Sequence, residues 1–243
     1  MLRNGDHPLV QRVRETPAED SQRLVAGVRE AIGTHALFRY PEQHGALHAS
    51  AMLAVWMGLG AVQVHEDLGG TVTVVRSGLG HRHDQAWHTD STPWRRPNVM
   101  SLLGHIHIAT GFELPATGLL PIATLESALA TDSDALHELR TTHVPWRRNF
   151  PDREQLSAPI LGIDSPRWVG SVLAELRHEL TPPLRRAVDV LEKHLLELPP
   201  VEETVQPGQL LMFDNRTNFH RGPQVEQTHE RQLVRIKLGG TAD

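Results

Sequence analysis

The chain has 243 residues, enough for one domain or a small pair, and 39% of them are hydrophobic, which allows a substantial core. The net charge of −5 provides no general basic face, so no nucleic-acid partner is predicted. The absence of cysteine excludes disulfides, thiolate metal sites and cysteine nucleophiles, and it fits a reducing compartment.

The N-terminal quarter predicts two helices around a short strand. Residues 1–10 carry charges and a proline without an apolar centre, so they predict neither a signal peptide nor a membrane anchor. We therefore expect a cytoplasmic protein. A capping pattern begins at Thr16, and the apolar stripe behind it ends at Gly33. Residues 35–39 predict a strand, and residues 47–59 predict a buried helix rich in alanine, leucine and methionine.

The remaining elements alternate in type along the chain. A polar loop with two glycines is predicted at residues 77–85, placed to line a substrate pocket. A basic and aromatic segment at residues 144–150 is predicted as a loop, either solvated or closing over an acidic substrate. Strands are predicted at residues 71–76, 98–108, 158–163, 210–213 and 231–238, and helices at residues 122–130, 133–140 and 181–197.

One residue separates His88 from Asp90. In an extended segment residues i and i+2 point to the same side, so this imidazole and carboxylate can bind one metal ion from one direction. A surface pair is the alternative, because such a tripeptide also arises by chance in a chain with 16 histidines. Far downstream, His220 ends the sequence DNRTNFH. Two histidines and a carboxylate on one face of a metal form the facial triad of non-haem Fe(II) oxygenases. His105 and His107 also alternate along a predicted strand, but no carboxylate accompanies them.

Two arginines follow His220 on the last predicted strand. Arg231 comes eleven residues after it and Arg235 fifteen, so in regular alternation both share a face with Leu233. A guanidinium binds a carboxylate through two parallel hydrogen bonds, which suits a dicarboxylate beside an open metal site. A solvated strand edge is the alternative for both, and an ion pair with a carboxylate such as Asp214 is a further alternative for Arg235.

Together these residues resemble the taurine dioxygenase/TfdA-like family of Fe(II)- and 2-oxoglutarate-dependent dioxygenases, over about residues 70–238. The resemblance implies that His88, Asp90 and His220 bind Fe(II). It implies that Arg231 binds the distal carboxylate of the cosubstrate 2-oxoglutarate. It also implies a threonine at the same carboxylate. The best match is Thr117, where the usual Gly-Gly-x-Thr pattern is replaced by Glu-Leu-Pro-Ala-Thr.

Substrate contacts are predicted at Arg235, Asp84 and Trp87. The resemblance implies that Arg235 recognises an anionic group, most simply a carboxylate. Asp84 belongs to the loop before the metal motif, and Trp87 flanks the motif itself, where core packing is the alternative. We expect a small-molecule substrate and no membrane partner, and a homo-oligomer remains open.

The resemblance implies a dioxygenase that uses O2 to hydroxylate a C–H bond of a small anionic or amino-acid-like molecule, while 2-oxoglutarate is converted to succinate and CO2. The alternative is the same iron chemistry with a desaturation or cyclisation outcome in natural-product biosynthesis. A third hypothesis is a non-catalytic or zinc-binding jelly-roll protein.

The predicted fold class is mainly β with flanking helices, α+β, around a double-stranded β-helix or cupin-like jelly roll. A single domain spans residues 1–243. Its N-terminal helical part ends near residue 65, and the core begins near residue 66. An insertion over about residues 120–200 separates the two metal-binding segments, and connections of that kind often act as lids.

Overall fold

The structure is a computed structural model that describes residues 35–39, 73–77, 86–92, 97, 100–108, 116–146, 156–222 and 231–238. The helices predicted before residue 35 and at residues 47–59, and the candidate contact Asp84, lie outside these ranges. Within them the chain is α+β, with ten strands and four helices. No helix in the described ranges is both long enough and apolar enough to cross a membrane.

The strands are named in chain order. They are β1 (His35–Arg39), β2 (Thr73–Ser77), β3 (Met100–Ile108), β4 (Thr117–Pro121), β5 (His143–Trp146), β6 (Leu156–Pro159), β7 (Val201–Glu203), β8 (Gln209–Asp214), β9 (Asn218–Arg221) and β10 (Arg231–Leu238). The helices are α1 (Ile122–Leu129), α2 (Ser133–Thr141), α3 (Gly170–Leu176) and α4 (Pro182–Glu197).

The largest sheet has five strands in the order β1-β8-β3-β10-β2, and every neighbouring pair is antiparallel. The centre of strand β8 is a run of four apolar residues, 210–213, all of them buried, as expected of a strand covered on both faces. The β3–β10 register shifts by one residue at Ile106, which leaves β10 in regular pairing with β2. Regular pairing along β10 preserves the alternation that places every second residue on one face.

A second sheet has three antiparallel strands in the order β7-β4-β9. Leu119 of β4 is the register partner of His220 in β9. A small core cluster joins this sheet to the first: it comprises Leu119, Val205, Leu211, Phe213 and Leu233, with Leu37 packed against it. The candidate metal motif therefore lies where the two sheets meet, because His220 pairs with Leu119 of this cluster and its ring lies 4.7 Å from that of Phe213.

The larger core cluster is built mainly by the helices. Helix α4 begins with Thr181, whose side-chain oxygen accepts a hydrogen bond from the N–H of Leu184, and two prolines open its first turn. One face of α4 is buried, and it packs against α1 and α2. Trp87 and Phe219, which flank the two metal-binding segments, belong to the same cluster. The helices thus form the wall behind the candidate site.

Several predictions for this part of the chain need correction. The strand predicted at residues 158–163 lies earlier, at β6, because β6 pairs with β5 and the chain turns at Leu161 through an isolated bridge to Pro166. Part of the predicted loop at residues 144–150 is strand β5, in which Trp146 is buried and donates from Nε1 to the carbonyl of Ala158. The described part of the predicted insertion contributes most of the larger core cluster, and its action as a lid stays a prediction.

Candidate metal centre

His88 and His220 are joined directly through the backbone. The N–H of His88 donates to the carbonyl of His220 at 2.9 Å, and the N–H of His220 donates to the carbonyl of His88 at 3.0 Å. This isolated antiparallel bridge continues the β7-β4-β9 sheet by one residue pair. Residues 132 positions apart in sequence are thereby fixed side by side, and their ring centroids are 4.1 Å apart.

The backbone of Asp90 is clamped by the buried side chain of Asn215. The N–H of Asp90 donates to Asn215 Oδ1 at 2.8 Å, and Asn215 Nδ2 donates to the carbonyl of Asp90 at 3.2 Å. Asn215 is fully buried. It lies between the end of β8 and the start of β9, so the strand pair that presents His220 also positions the carboxylate-bearing residue.

The intervening residue, Thr89, is held by the segment that precedes α3. Its N–H donates to the carbonyl of Trp168 at 2.9 Å, and the N–H of Trp168 donates to Thr89 Oγ1 at 2.9 Å. The chain then turns sharply, with Ser91 at a φ of 55°, a conformation that few L side chains adopt. The guanidinium of Arg167 donates to the carbonyl of Thr92 across this turn. The first metal-binding segment is therefore held by the residues that precede α3 as well as by β9.

The three candidate ligands converge. Each of His88, Asp90 and His220 offers one side-chain nitrogen or oxygen such that these atoms lie within 4.8 Å of one another. His88 Nδ1 lies 2.9 Å from the carbonyl of Ala86, and an imidazole that donates there carries its lone pair on Nε2, the usual arrangement for a metal-binding histidine. Both ring nitrogens of buried His220 lack a hydrogen-bond partner among the described residues. Buried polar atoms are nearly always satisfied, so these nitrogens fit a site that needs a further ligand.

The two oxygens of Asp90 have different neighbours. Oδ2 lies 3.7 Å from Nε2 of His220. Oδ1 lies 2.8 Å from the ammonium of Lys237 and 3.1 Å from Nη1 of Arg235. The Asp90 side chain is 2% exposed, that of Lys237 6% and that of Arg235 13%, so both ion pairs are shielded from water.

This environment sets the protonation of the triad. Burial lowers the pKa of His220 well below its usual 6.5, and the neighbouring His88 lowers it further. Burial also lowers the pKa of His88, against the opposing effect of Asp90. Burial alone would raise the pKa of Asp90, but Arg235 and Lys237 outweigh it and hold that pKa well below its ordinary value. At neutral pH the site thus presents two neutral imidazoles and one carboxylate, the forms that bind a metal.

The other predicted site residues are distributed around the triad. Thr117 is buried on β4, two residues before the register partner of His220, and alternation puts it on the same face as that partner. Arg231 begins β10, opposite Ser77 and Ile108. Trp87 is 6% exposed within the larger core cluster, and the guanidinium of Arg221 lies 4.9 Å from its ring centroid. Packing accounts for this indole, and its contact with a substrate stays a prediction.

Two residues of the site were not singled out from the sequence. Lys237 lies on the same face of the strand as Leu233 and Arg235, so alternation alone could have placed it beside them. Because lysine is seldom buried, its residue type offered no reason to assign it to the site. Asn215 belongs to the segment that leads to His220, and only the fold shows that it binds the backbone of Asp90. Asp214, considered as a partner of Arg235, instead binds Arg216 at 2.7 Å.

No protein-family model and no curated protein sequence matches the chain. Solved structures do match. An asparagine oxygenase in complex with Fe(II), 2S,3S-3-hydroxyasparagine and succinate has a TM-score of 0.65 at 17% identity, covering 95% of this chain and 82% of that one. The non-haem iron oxygenase OrfP in complex with Fe has a TM-score of 0.64 at 16% identity, covering 97% and 83%. A taurine dioxygenase from Burkholderia xenovorans has a TM-score of 0.55 at 20% identity, covering 93% and 83%. The chain therefore shares its fold with iron oxygenases that include a taurine dioxygenase, as the sequence predicted.

Proposed function

We propose that this protein is an Fe(II)- and 2-oxoglutarate-dependent dioxygenase that hydroxylates a C–H bond of a small anionic or amino-acid-like molecule. The observation that carries the proposal is the convergence of His88, Asp90 and His220 within 4.8 Å, in a fold shared with iron oxygenases. A metal bound on one side by two imidazoles and a carboxylate keeps open positions for a cosubstrate and O2.

The residues present fit the iron. The unpartnered nitrogens of His220 supply a ligand atom that the described fold leaves unsatisfied. The carbonyl of Ala86 orients the ring of His88. The Oδ2 side of Asp90 faces His220 while Oδ1 is held by two cations, so the carboxylate is disposed to bind through one oxygen. These three side chains would hold Fe(II).

The cosubstrate would be bound by residues at the edge of the triad. We assign the distal carboxylate of 2-oxoglutarate to Arg231, in keeping with its spacing from His220 and its place at the start of β10. Thr117 is a candidate for a hydrogen bond to the same carboxylate, since it is buried on the strand beside β9. The bound iron and 2-oxoglutarate would supply the oxidising power, one oxygen atom of O2 entering the substrate and the other entering succinate as CO2 leaves.

Arg235 is the residue best suited to recognise the substrate. It contacts Asp90 through Nη1 alone, and its buried Nε has no partner among the described residues. A guanidinium with unused donors beside a metal site is suited to a carboxylate or a similar anion. Two of the structural neighbours are in complex with amino acids that carry an α-carboxylate, hydroxyasparagine in one and L-Arg in the other, which favours an amino-acid-like substrate here.

The same proposal extends to the architecture. The five-stranded and three-stranded antiparallel sheets that meet at the core cluster support a jelly-roll core, which would carry the triad at its open end. We propose a single domain over residues 1–243, with a helical part to about residue 65 and the segment near residues 120–200 inserted between the two metal-binding segments. A small-molecule substrate and a cytoplasmic location remain part of this proposal.

Succinate formation tests the function and separates it from a metal-binding protein without activity. The purified protein is incubated with Fe(II), ascorbate, O2 and 2-oxoglutarate, alone and with panels of amino acids and small organic acids. We expect iron-dependent succinate release, stimulated by the true substrate, and a product that carries one added oxygen atom. A product lacking two hydrogens would instead identify the desaturation or cyclisation outcome. A site that binds zinc and turns over no 2-oxoglutarate would refute the proposal.

A further inference from the structure

The ammonium of Lys237 is buried against the carboxylate of Asp90. Nζ is 2.8 Å from Oδ1, and the Lys237 side chain is 6% exposed. An ammonium withdrawn from water costs several kcal/mol unless a counter-charge compensates it. Lysine is almost never buried without such a partner. Its position therefore depends on Asp90, and the reverse also holds, because Asp90 is 2% exposed.

Arg235 and Lys237 contact the same oxygen, but their situations differ. Arg235 is the more exposed, makes one contact at 3.1 Å, and has an unpartnered Nε among the described residues. Lys237 lies two residues further along β10, deeper in the fold, and makes the shorter contact. Lys237 is thus the fixed neighbour of the carboxylate, whereas Arg235 keeps donors for another anion.

The two oxygens of the Asp90 carboxylate face different groups. Oδ1 faces both cations, while Oδ2 faces Nε2 of His220 at 3.7 Å. Asn215 fixes the backbone of Asp90 through two further hydrogen bonds. Rotation of the carboxylate would break the contacts of Oδ1 with the two cations, so the other oxygen is presented toward the histidines.

The charges in this cluster do not balance around a bound metal. Among the described residues, the Asp90 carboxylate and the two cations that contact it sum to +1, and a divalent ion raises that sum to +3. The cations therefore stabilise Asp90 before the metal arrives and repel the metal once it is bound, because like charges a few ångströms apart interact strongly in a shielded site.

We propose that Lys237 is a positioning residue that acts as an internal counter-charge for Asp90, holding Oδ1 so that Oδ2 faces the metal position before any metal binds. This inference rests on the proposed function only in taking the triad as a divalent-metal site. Two consequences follow. The three metal ligands are already in position in the metal-free protein, and repulsion between Lys237 and the metal lowers the metal affinity.

Replacement of Lys237 distinguishes this role from a merely structural one, because a counter-charge that repels the metal predicts higher Co(II) affinity when it is removed. Lys237→Met removes the charge and keeps most of the side-chain length. We expect the metal-free variant to melt at a lower temperature, because Asp90 loses its closest counter-charge. We expect Co(II) to bind on the order of tenfold tighter or more, because the repulsion is removed. Saturating Co(II) should restore most of the lost thermal stability.

A matched set of variants completes the experiment. Lys193→Met removes an exposed lysine of α4 that pairs with Glu197 at 3.9 Å, and it should change neither Co(II) affinity nor melting temperature. Lys237→Gln is a second neutral variant, with a polar head in place of the thioether. It should also bind Co(II) more tightly. Lys237→Arg keeps the charge, and its Co(II) affinity should remain near that of the wild type.

The outcomes distinguish this inference from the proposed function. If the wild-type protein binds no Co(II), the metal site itself is wrong. If the wild type binds Co(II) but both neutral variants bind it equally or more weakly, Lys237 is not a counter-charge that opposes the metal. If both neutral variants stay unfolded in saturating Co(II), Lys237 serves the fold through other contacts and the inference is overturned.

Discussion

The side-chain amide of Asn215 is hydrogen-bonded to the backbone of Asp90 at both ends, accepting from its N–H at 2.8 Å and donating to its carbonyl at 3.2 Å. The amide thus replaces a strand partner for a residue outside any regular sheet. It links the end of β8 to the first metal-binding segment, and through the neighbouring bridge between His88 and His220 the two segments behave as one unit.

Asn215→Ala is expected to loosen this unit. It removes two hydrogen bonds from buried backbone groups of Asp90, and a buried group that loses its partner costs about 1–3 kcal/mol of unfolding free energy. Loss of a group that orients a metal ligand should also weaken Co(II) binding by roughly 10- to 100-fold. Chemical denaturation and Co(II) titration measure the two effects. Arg216→Ala is the control, because Arg216 is adjacent in sequence but half exposed, and its guanidinium pairs with Asp214 and not with Asp90. Equal Co(II) affinity in both variants would contradict the role of Asn215.

His220→Ala is expected to abolish most metal binding. The variant removes a buried imidazole whose nitrogens have no partner among the described residues, so the fold loses few polar contacts while the site loses a ligand. Co(II) titration of the folded variant measures the effect, and His137→Ala, on the exposed face of α2, serves as the control. Retained Co(II) affinity together with retained turnover would exclude His220 as a ligand.

Arg231→Gln is expected to weaken 2-oxoglutarate binding and leave metal binding intact. A charge-assisted, bidentate contact contributes about 1.5–3 kcal/mol, which corresponds to roughly 10- to 150-fold in affinity. Equilibrium titration of 2-oxoglutarate into the metal-loaded protein measures it. An unchanged affinity would mean that another cation binds the distal carboxylate.

Arg235→Leu is expected to raise the substrate KM by about tenfold or more while leaving 2-oxoglutarate affinity near that of the wild type. Asp90 retains Lys237 as a counter-charge in this variant, so the loss of stability should be smaller than in Lys237→Met. Steady-state kinetics with the identified substrate, combined with thermal melting, separate recognition from stability. A true substrate without a negative charge would contradict the assignment.

Acidification is expected to destabilise the metal-free protein through the two histidines. The folded pKa values of His88 and His220 lie below 6.5, so the unfolded chain binds more protons as the pH falls past about 6.5, and stability falls with it. Melting temperatures at about pH 7.5 and pH 5.5 measure the loss. His220→Leu removes one contributing group and should show a smaller loss over that interval. An equal loss in both proteins would show that other groups dominate.

The sequence predicted much of this arrangement where local pattern determines structure. Helix α4 was predicted with its start at Thr181 and its end at Glu197, because the cap, the prolines and the apolar stripe are all local signals. Strand β10 was equally clear from alternation. Strands β4 and β9 were missed, because each is only four or five residues long and is defined by its partner rather than by its own composition.

At the site, residue type and spacing were enough to predict which three side chains converge, whereas the long-range contacts around them could not be predicted from the sequence. Arg235 was predicted to bind a substrate anion, with a core carboxylate such as Asp214 among the alternatives, and in the structure it pairs with a core carboxylate, that of Asp90. Arg235 and Asp90 are 145 residues apart in sequence, and only the tertiary packing brings their side chains together.

The most direct test of the central claim is the isotopic composition of succinate formed under 18O2. The protein is incubated with Fe(II), ascorbate, 2-oxoglutarate and a pool of amino acids in an 18O2 atmosphere, beside His220→Ala. An Fe(II)- and 2-oxoglutarate-dependent dioxygenase yields succinate that carries one 18O atom, in amounts that depend on iron and on His220. Failure to form iron-dependent succinate, or the same succinate formation in the His220 variant, would contradict the account.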